Sequence, residues 1–227
     1  MPTPNAYPAV QRNQLSRIRK SIAYSAASSY FSLPMQLLST AVISRILTPT
    51  EIGVFSVAAV FASLASVFRD FGVAEYIIQE PNLTDNKIRA ATTVNVAASW
   101  LMALLLVVFA PLVAEFYRDD RVATVMHIQS ASFLFIPFGA ITMAQFRKDL
   151  DFRPLFVSNV FSGLVSFSTT MGLALSGAGP SSLAWGSLAG VVASVVSSLY
   201  MAPKSYSWLP GFQGLSQVVR FGKFASI

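Results

Sequence analysis

The chain has 227 residues, of which 54% are hydrophobic and only 11% are charged, and its mean hydropathy is +0.58. A soluble domain ordinarily carries about 25% charged residues, so this composition indicates a protein of the lipid bilayer. The formal charge of +6 does not indicate nucleic-acid binding, because the basic residues cluster at the ends of apolar segments. Since the chain has no cysteine, disulfides, thiol nucleophiles and thiolate metal sites are excluded.

Residues 1–20 are polar and basic, and Arg19 and Lys20 directly precede the first apolar segment. That segment continues from Ile22 to Leu47 without a small-residue cleavage site, so we expect an uncleaved transmembrane helix and not a signal peptide. Polar residues recur along it at spacings of three and four, which places them on one stripe that a neighbouring helix or a hydrated cavity would accept. The stripe consists of Ser25, Ser28, Ser29, Ser32, Gln36, Ser39 and Thr40.

A turn at Thr48-Pro49-Thr50 predicts that the first two helices form a hairpin. Pro49 cannot continue the first helix, and Thr50 is expected to cap the second helix, with Glu51 in its first turn. No charged residue follows until Arg69, so the second helix has about the 20 residues that a bilayer core requires.

Four further apolar segments predict helices three to six, over residues 91–113, 122–146, 154–175 and 182–200. Between helices two and three, residues 73–89 are predicted to form a mixed loop that contains a short interfacial segment and turns at Pro81-Asn82 and Asp85-Asn86. Helix four is expected to be broken at Ile136-Pro137-Phe138-Gly139. Residues 176–180 are predicted to form a tight turn between helices five and six.

Helix five repeats the polar stripe of helix one, because its polar residues again step by three and four: Ser158, Asn159, Ser162, Ser166, Thr169 and Thr170. Two polar stripes in one membrane protein indicate a shared interior. In helix six, the pattern Gly186-x-x-x-Gly190 allows another backbone to approach closely.

The distribution of Lys and Arg predicts the orientation, because positive charge is retained on the cytoplasmic side. Of the 16 basic residues, only Arg45, Arg118 and Arg121 lie in one set of alternate loops, and the other thirteen lie in the opposite set. Six spans with this asymmetry place both ends of the chain in the cytoplasm.

Several short motifs resemble the Wzx-like oligosaccharide flippases of the multidrug/oligosaccharidyl-lipid/polysaccharide exporter superfamily. The opening hairpin carries Arg45-Ile46-Leu47-Thr48-Pro49-x-Glu51-x-Gly53 and then Asp70-Phe71-Gly72-Val73-Ala74. Further along the chain, Ala110-Pro111-Leu112-Val113-Ala114 and Phe146-Arg147-Lys148 are similar to the end of helix three and the loop after helix four in that family.

The resemblance implies an all-α integral membrane protein: a six-transmembrane-helix bundle that is one lobe of a transporter with twelve to fourteen helices, followed by the start of a seventh helix. On this interpretation residues 1–20 are a basic cytoplasmic tail, 21–200 the lobe, and 201–227 a connector and the start of a second lobe. The implied activity is the translocation of undecaprenyl-pyrophosphate-linked oligosaccharide across the bacterial inner membrane by alternating access. The implied partners are this lipid-linked oligosaccharide, membrane lipids, a second lobe and the polysaccharide polymerase machinery.

Candidate site residues follow from the polar stripes and from the cations near the helix ends. Arg45 could attract the pyrophosphate, although it could equally extend its side chain to the lipid headgroups. Arg69, Asp70 and Arg147 are interface or gating candidates. The candidates for the substrate cavity are Ser25, Ser28, Ser29, Ser32, Gln36, Arg45, Asn95, Asn159, Ser162 and Ser166. For the serines and amides, packing between helices remains the alternative.

Two other functions stay open beside the flippase. A drug or small-solute exporter of the same superfamily would favour an aromatic or acidic cavity, whereas no carboxylate falls inside a predicted span. The second alternative is a truncated, non-transporting membrane scaffold. An enzyme is not expected, because the sequence lacks a metalloprotease, serine-hydrolase, phosphate-loop or dinucleotide motif. We predict no catalytic residue, metal or cofactor.

Overall fold

The computed structural model describes residue 30 and residues 34–69, 73–80 and 84–203. Within these ranges the chain forms helices and turns, without a strand. The helices are α1 (residues 34–46), α2 (Pro49–Arg69), α3 (Val73–Gln79), α4 (Asp85–Tyr117), α5 (Asp120–Lys148), α6 (Phe152–Leu175) and α7 (Ser181–Met201). Five of them, α2 and α4 to α7, are long and apolar enough to cross a membrane. The predicted helices two to six are therefore confirmed, while much of the predicted first helix lies outside the described residues.

The hairpin between α1 and α2 forms as predicted, but Thr48 and not Thr50 is the capping residue. The backbone N–H of Glu51 donates to Thr48 Oγ1 at 3.3 Å, and Glu51 Oε2 accepts from the backbone N–H and the hydroxyl of Thr48, each at 2.8 Å. This reciprocal capping box satisfies backbone donors that a helix start would otherwise leave unpaired. Pro49 then occupies the first helical position, where its missing N–H has no cost.

The predicted loop over residues 73–89 is wrong for most of its length. Residues Val73–Gln79 form α3, and α4 begins at Asp85, so the Asp85-Asn86 pair lies in the first turn of a helix. The reason is burial, since Val73, Tyr76 and Ile77 pack in one apolar cluster with residues of α4 and α5. The predicted interfacial segment is therefore packed against protein, with Ile77 fully buried.

Helix α5 is the centre of the bundle and contacts α2, α3, α4, α6 and α7. In the most apolar stretch of 18 residues in α5, 50% of the residues are buried. In the other four spanning helices the corresponding share is 17% to 33%. Helix α5 continues through Pro137, so the chain is not interrupted there, and the kink expected at this residue stays a prediction. Gly139 allows α7 to pack closely there, since a Cβ at this position would lie 3.0 Å from Val195 Cγ2.

The turns lie at two ends of the bundle, as the alternating loops predict. At the first end, which we call the Thr48 end, a Cβ at Gly179 of the α6–α7 turn would lie 2.9 Å from Glu51 Oε1. Arg121, just after the α4–α5 turn, is close enough to Glu51 for the two charges to interact. At the opposite end, the Lys148 end, the ammonium group of Lys148 donates to the carbonyl oxygens of Ile77, at 3.2 Å, and Glu80.

The charged turn at the Thr48 end is fixed by its own hydrogen bonds. Arg118 has a positive φ of 55° and ends α4, and Asp119 caps α5 by accepting from the backbone N–H of Arg121 at 3.0 Å. The Arg121 guanidinium also donates to Asp119 Oδ2 at 2.7 Å, which lowers the pKa of the Asp119 carboxyl below its ordinary value. The capping carboxylate therefore stays ionised, the form that accepts these bonds.

Candidate functional site

A cavity of about 390 Å³ lies between α1, α2, α6 and α7 in the part of the bundle toward the Thr48 end. We call it the Asn159 cavity. Its polar lining residues come from three helices: Gln36 and Ser39 of α1, Asn159, Ser166 and Thr170 of α6, and Ser187 of α7. Apolar side chains complete the wall, including the aromatic rings of Phe55 and Phe167. No carboxylate lines it among the residues that the structure describes.

Two glycines of α7 bring the polar residues of α6 to this cavity. A Cβ at Gly186 would overlap Thr170 Oγ1 and lie 2.9 Å from the carbonyl oxygen of Ser166. A Cβ at Gly190 would lie 2.9 Å from the Ser166 Cβ. The close approach predicted from the Gly186-x-x-x-Gly190 pattern is therefore confirmed, and the helix that approaches α7 is α6 of the same chain.

A hydrogen bond between hydroxyl groups continues the α6–α7 contact toward the Lys148 end. Ser197 Oγ donates to Ser158 Oγ at 2.9 Å, and Ser158 is fully buried. Within a membrane such a bond satisfies polar groups that lipid could not, so part of the α6 stripe serves packing. The same stripe thus contains Ser158, which binds α7, and Asn159, which faces the cavity.

A second cavity, of about 280 Å³, lies near the Lys148 end among α2, α3, α4 and α5. We call it the Arg147 cavity. Its polar lining residues are Arg69 at the end of α2, Asn95 of α4 and Arg147 of α5, and apolar residues such as Val73 and Ile141 form the remainder. The guanidinium carbon of Arg69 lies 5.8 Å from the centroid of the Phe133 ring, a cation–π distance that holds this charge against α5.

The structure divides the candidate site residues between these two cavities. Gln36, Asn159 and Ser166 line the Asn159 cavity together, so the stripes of the first and fifth predicted helices meet there. Asn95, which the sequence assigned to the same cavity, lies instead with Arg69 and Arg147. The remaining candidates Ser25, Ser28, Ser29, Ser32 and Asp70 lie outside the described residues.

Two candidates line neither cavity. Ser162 is half-buried beside the Asn159 cavity, where its hydroxyl donates to the backbone carbonyl oxygen of Asn159 at 3.1 Å. Arg45 is exposed in the last turn of α1, beyond Ile43, which is the cavity residue of α1 nearest to it in sequence.

Sequence reasoning did not select several residues of the Asn159 cavity. Ser39 and Thr170 belonged to the recognised polar stripes and could have been chosen by extending them. No comparable signal marked Ser187, Phe55 and Phe167. A serine next to a glycine is common in membrane spans, and so is a phenylalanine in an apolar helix. Among the described residues, no group of three or more His, Cys, Asp and Glu could hold a metal ion.

Comparison with known proteins identifies relatives in polysaccharide biosynthesis. The chain is 28% identical over 152 residues to an uncharacterized membrane protein in the cps region of Klebsiella pneumoniae, covering 67% of this chain and 31% of that protein. It is 23% identical to the lipopolysaccharide biosynthesis protein WzxC of Escherichia coli, over 65% of this chain and 30% of WzxC. It is 24% identical to the teichuronic acid biosynthesis protein TuaB of Bacillus subtilis, over 84% of this chain and 40% of TuaB. No solved structure matches.

These alignments span less than half the length of each relative. They nevertheless confirm the resemblance to the Wzx-like flippases that the motifs carry, and with the five apolar helices they establish a multi-pass membrane protein. The family described as "Polysaccharide biosynthesis protein" matches residues 42–226, which is most of the chain, so the chain belongs to the polysaccharide biosynthesis protein family.

Proposed function

We propose that this chain forms a six-helix lobe of a transporter that moves undecaprenyl-pyrophosphate-linked oligosaccharide across the bacterial inner membrane by alternating access. The observation that carries the proposal is the Asn159 cavity, which brings amide and hydroxyl groups of α1, α6 and α7 together among the apolar side chains of its wall. Such groups can exchange hydrogen bonds with sugar hydroxyls, and exposing them to lipid instead would be unfavourable. The lipid tail would stay in the membrane throughout.

Translocation breaks no bond, so the proposed activity is non-enzymatic. The polar groups that line the cavity in the described part of the chain are amides and hydroxyls, which suit hydrogen bonding to a sugar. The proposed organisation keeps residues 1–20 as a cytoplasmic tail, residues 21–200 as the lobe and residues 201–227 as the connector to a second lobe. A second lobe would close the open side of the cavity.

A drug exporter of the same superfamily is the less favoured alternative. Cationic drugs are best held by carboxylates in a low-dielectric site, and none lines the Asn159 cavity among the described residues. The relatives in lipopolysaccharide and teichuronic acid biosynthesis also support a glycan substrate.

The orientation can be tested with fusions to alkaline phosphatase, an enzyme that is active only outside the cytoplasm. The fusions follow Lys87 in the first turn of α4, Asp119 between α4 and α5, and Arg153 in the first turn of α6. We expect activity after Asp119 at the Thr48 end and none after Lys87 or Arg153, because the basic residues of the Lys148 end favour the cytoplasm. A cytoplasmic reporter such as β-galactosidase should give the reverse pattern. Phosphatase activity after Lys87 and Arg153 together with silence after Asp119 would invert the proposed topology.

Single-cysteine labelling of the complete protein tests the cavity itself. The described chain has no cysteine, so Gln36→Cys, Asn159→Cys and Ser166→Cys can be made without removing native thiols. A polar, membrane-impermeant thiol reagent should modify all three, and purified lipid-linked oligosaccharide should slow the reaction. Leu37→Cys and Leu164→Cys are matched controls, since both leucines lie on outward faces of the same helices.

The two results of the labelling experiment lead to opposite conclusions. Fast labelling at the three cavity positions, slow labelling at the two controls and protection by the substrate would support a hydrated sugar-binding cavity. Equal labelling of both sets, or protection by a cationic drug but not by the lipid-linked oligosaccharide, would contradict the proposed function.

A further inference from the structure

Gly163 lines the Asn159 cavity between two of its polar residues. It follows Asn159 by four positions and precedes Ser166 by three, spacings that place all three residues on one face of α6. From Asn159 to Ser166 the helix rises about 10 Å, at roughly 1.5 Å per residue. A ligand that lies along this face therefore meets an amide and a hydroxyl, with the bare backbone of Gly163 between them.

The space next to Gly163 is open, unlike the space at the two glycines of α7. A Cβ at Gly163 would meet no atom of the described residues within 4 Å, whereas a Cβ at Gly186 or Gly190 would lie 2.9 Å or less from an atom of α6. Inside a helix, glycine is about 1 kcal/mol less favourable than alanine, and packing between the described helices does not require it at position 163. What the missing side chain of Gly163 provides is room in the cavity.

The helices around this cavity are uncharged along their apolar lengths. In the sequence, no Asp, Glu, Lys, Arg or His occurs in residues 21–44, 52–68 and 154–203. The cation closest in sequence to a lining residue is Arg45, which is exposed and lies two residues after Ile43, about 200° around α1. A carboxylate brought into the cavity would lose hydration without gaining a charged partner, which is unfavourable.

We infer that Gly163 leaves room for one uncharged sugar ring, and that this room and the neutral wall determine which glycans the chain accepts. Hydroxyl groups of the ring can pair with the amide of Asn159 and the hydroxyl of Ser166. Its C–H groups can pack on the aromatic rings of Phe55 and Phe167, which belong to the same wall. We call these five residues the Gly163 subsite. The inference rests on the proposed function for the lipid-linked glycan.

The size of the cavity agrees with a subsite for part of a glycan. Its volume of about 390 Å³ is at the lower end of the roughly 300–1,000 Å³ of usual ligand pockets, so it suits a short part of an oligosaccharide. The remaining sugars would lie outside the Gly163 subsite. Selection by size and charge would then act on the sugar that enters it.

The test measures binding of three radiolabelled lipids to the purified chain in phosphatidylcholine nanodiscs: undecaprenyl pyrophosphate, and the same lipid linked to glucose or to glucuronic acid. All three share the lipid and the pyrophosphate, so differences in affinity report on the sugar. We expect the glucose-linked lipid to bind about tenfold more tightly than the glucuronic acid-linked lipid, a difference of about 1.4 kcal/mol. Equal affinities for these two lipids, or no gain from glucose over the sugar-free lipid, would overturn the inference.

Substitution of Gly163 tests the room for the ring. Gly163→Leu should weaken binding of the glucose-linked lipid about tenfold and leave binding of undecaprenyl pyrophosphate within about twofold, because the new side chain occupies only the space of the sugar. Gly172→Leu is the matched control, since a Cβ at Gly172 also meets no atom within 4 Å and Gly172 does not line the cavity. Neither variant should lower the thermal unfolding midpoint, because leucine favours a helix more than glycine does. If Gly163→Leu binds the glucose-linked lipid as well as Gly172→Leu does, the ring does not lie at Gly163.

An added charge tests the neutral wall. Asn159→Lys places an ammonium group in the cavity and should shift the preference toward the glucuronic acid-linked lipid, because the carboxylate then has a partner. Val157→Lys adds the same charge two residues away, at an exposed position of α6, and should keep the preference for glucose. A preference that is the same in both variants would show that the sugar binds elsewhere.

The inference and the proposed function can fail independently. Transport is tested by asking whether the complete protein restores surface polysaccharide in a flippase-deleted cell. If it does so, but the glucose-linked lipid binds Gly163→Leu and the unsubstituted chain alike, only the Gly163 subsite is wrong. If the purified chain discriminates the three lipids as expected, but the complete protein transports no lipid-linked oligosaccharide, the subsite stands and the transport proposal is wrong.

Discussion

Replacing Gly186 with leucine should separate α6 from α7 and destabilise the bundle by at least about 3 kcal/mol, the upper part of the usual range for overpacked interiors. The reason is steric, because even a methyl group at this position would overlap Thr170 Oγ1 and press against the Ser166 carbonyl oxygen. Thermal unfolding of the purified chain in detergent measures the effect. Since Ser166 and Thr170 line the Asn159 cavity, substrate protection of a cysteine at Asn159 should be lost as well.

Gly172→Leu provides the control for Gly186→Leu. It makes the same substitution in the last turn of α6, where a Cβ would meet no atom within 4 Å, so stability should change little. A Thr170→Ala substitution in the Gly186→Ala background should restore part of the lost stability, because it removes the overlapping hydroxyl. Equal unfolding midpoints for Gly186→Leu and Gly172→Leu would show that α6 and α7 are not packed through this glycine.

Replacing Lys148 with methionine should release α3 from the bundle. The ammonium group donates to the carbonyl oxygens of Ile77 and Glu80 at the end of α3, where a helix leaves its carbonyls unpaired. Losing hydrogen bonds to a charged group of this kind costs about 1.5–3 kcal/mol each. Hydrogen–deuterium exchange should therefore accelerate over residues 73–80, because the bonds from Lys148 are what hold the end of α3 against α5.

Lys87→Met is the comparison for Lys148→Met, since Lys87 also lies next to Glu80. Lys87 bonds the Glu80 carboxylate in a partly exposed pair, which contributes at most about 1 kcal/mol. Exchange in α3 should change much less than in Lys148→Met, and Lys148→Arg should preserve most of the protection. A larger effect from Lys87→Met would show that the carboxylate pair, and not the bonds from Lys148 to the carbonyls, holds α3.

The features that the sequence predicted correctly are local ones. Apolar length predicted helices two to six, and residue spacing placed Asn159 and Ser166 on one face and indicated the close approach at Gly186. The choice of Thr50 as cap was wrong because the side chain of Glu51 folds back to Thr48, so the capping box includes the residue before the proline.

The remaining features depend on contacts between distant parts of the chain. Lys148 meets Ile77 across 71 positions of sequence, and no local pattern predicts that contact. Without this contact, the seven residues 73–79 are too few to form a stable isolated helix, so the sequence alone predicts a loop. That Asn95 lines the Arg147 cavity and not the Asn159 cavity was unpredictable for the same reason, since its periodicity identifies a buried face of α4 but not the helices opposite it.

The central place of α5 has a consequence for the order in which the chain is synthesised. Its closest neighbour on the Gly139 face is α7, which leaves the ribosome after α6, more than forty residues later. Until then, the face of α5 at Gly139 lacks Val195 and Ser198 of α7, which pack against it in the folded chain. During biosynthesis this face of α5 therefore depends on the insertion machinery, or on transient neighbours, until α7 arrives.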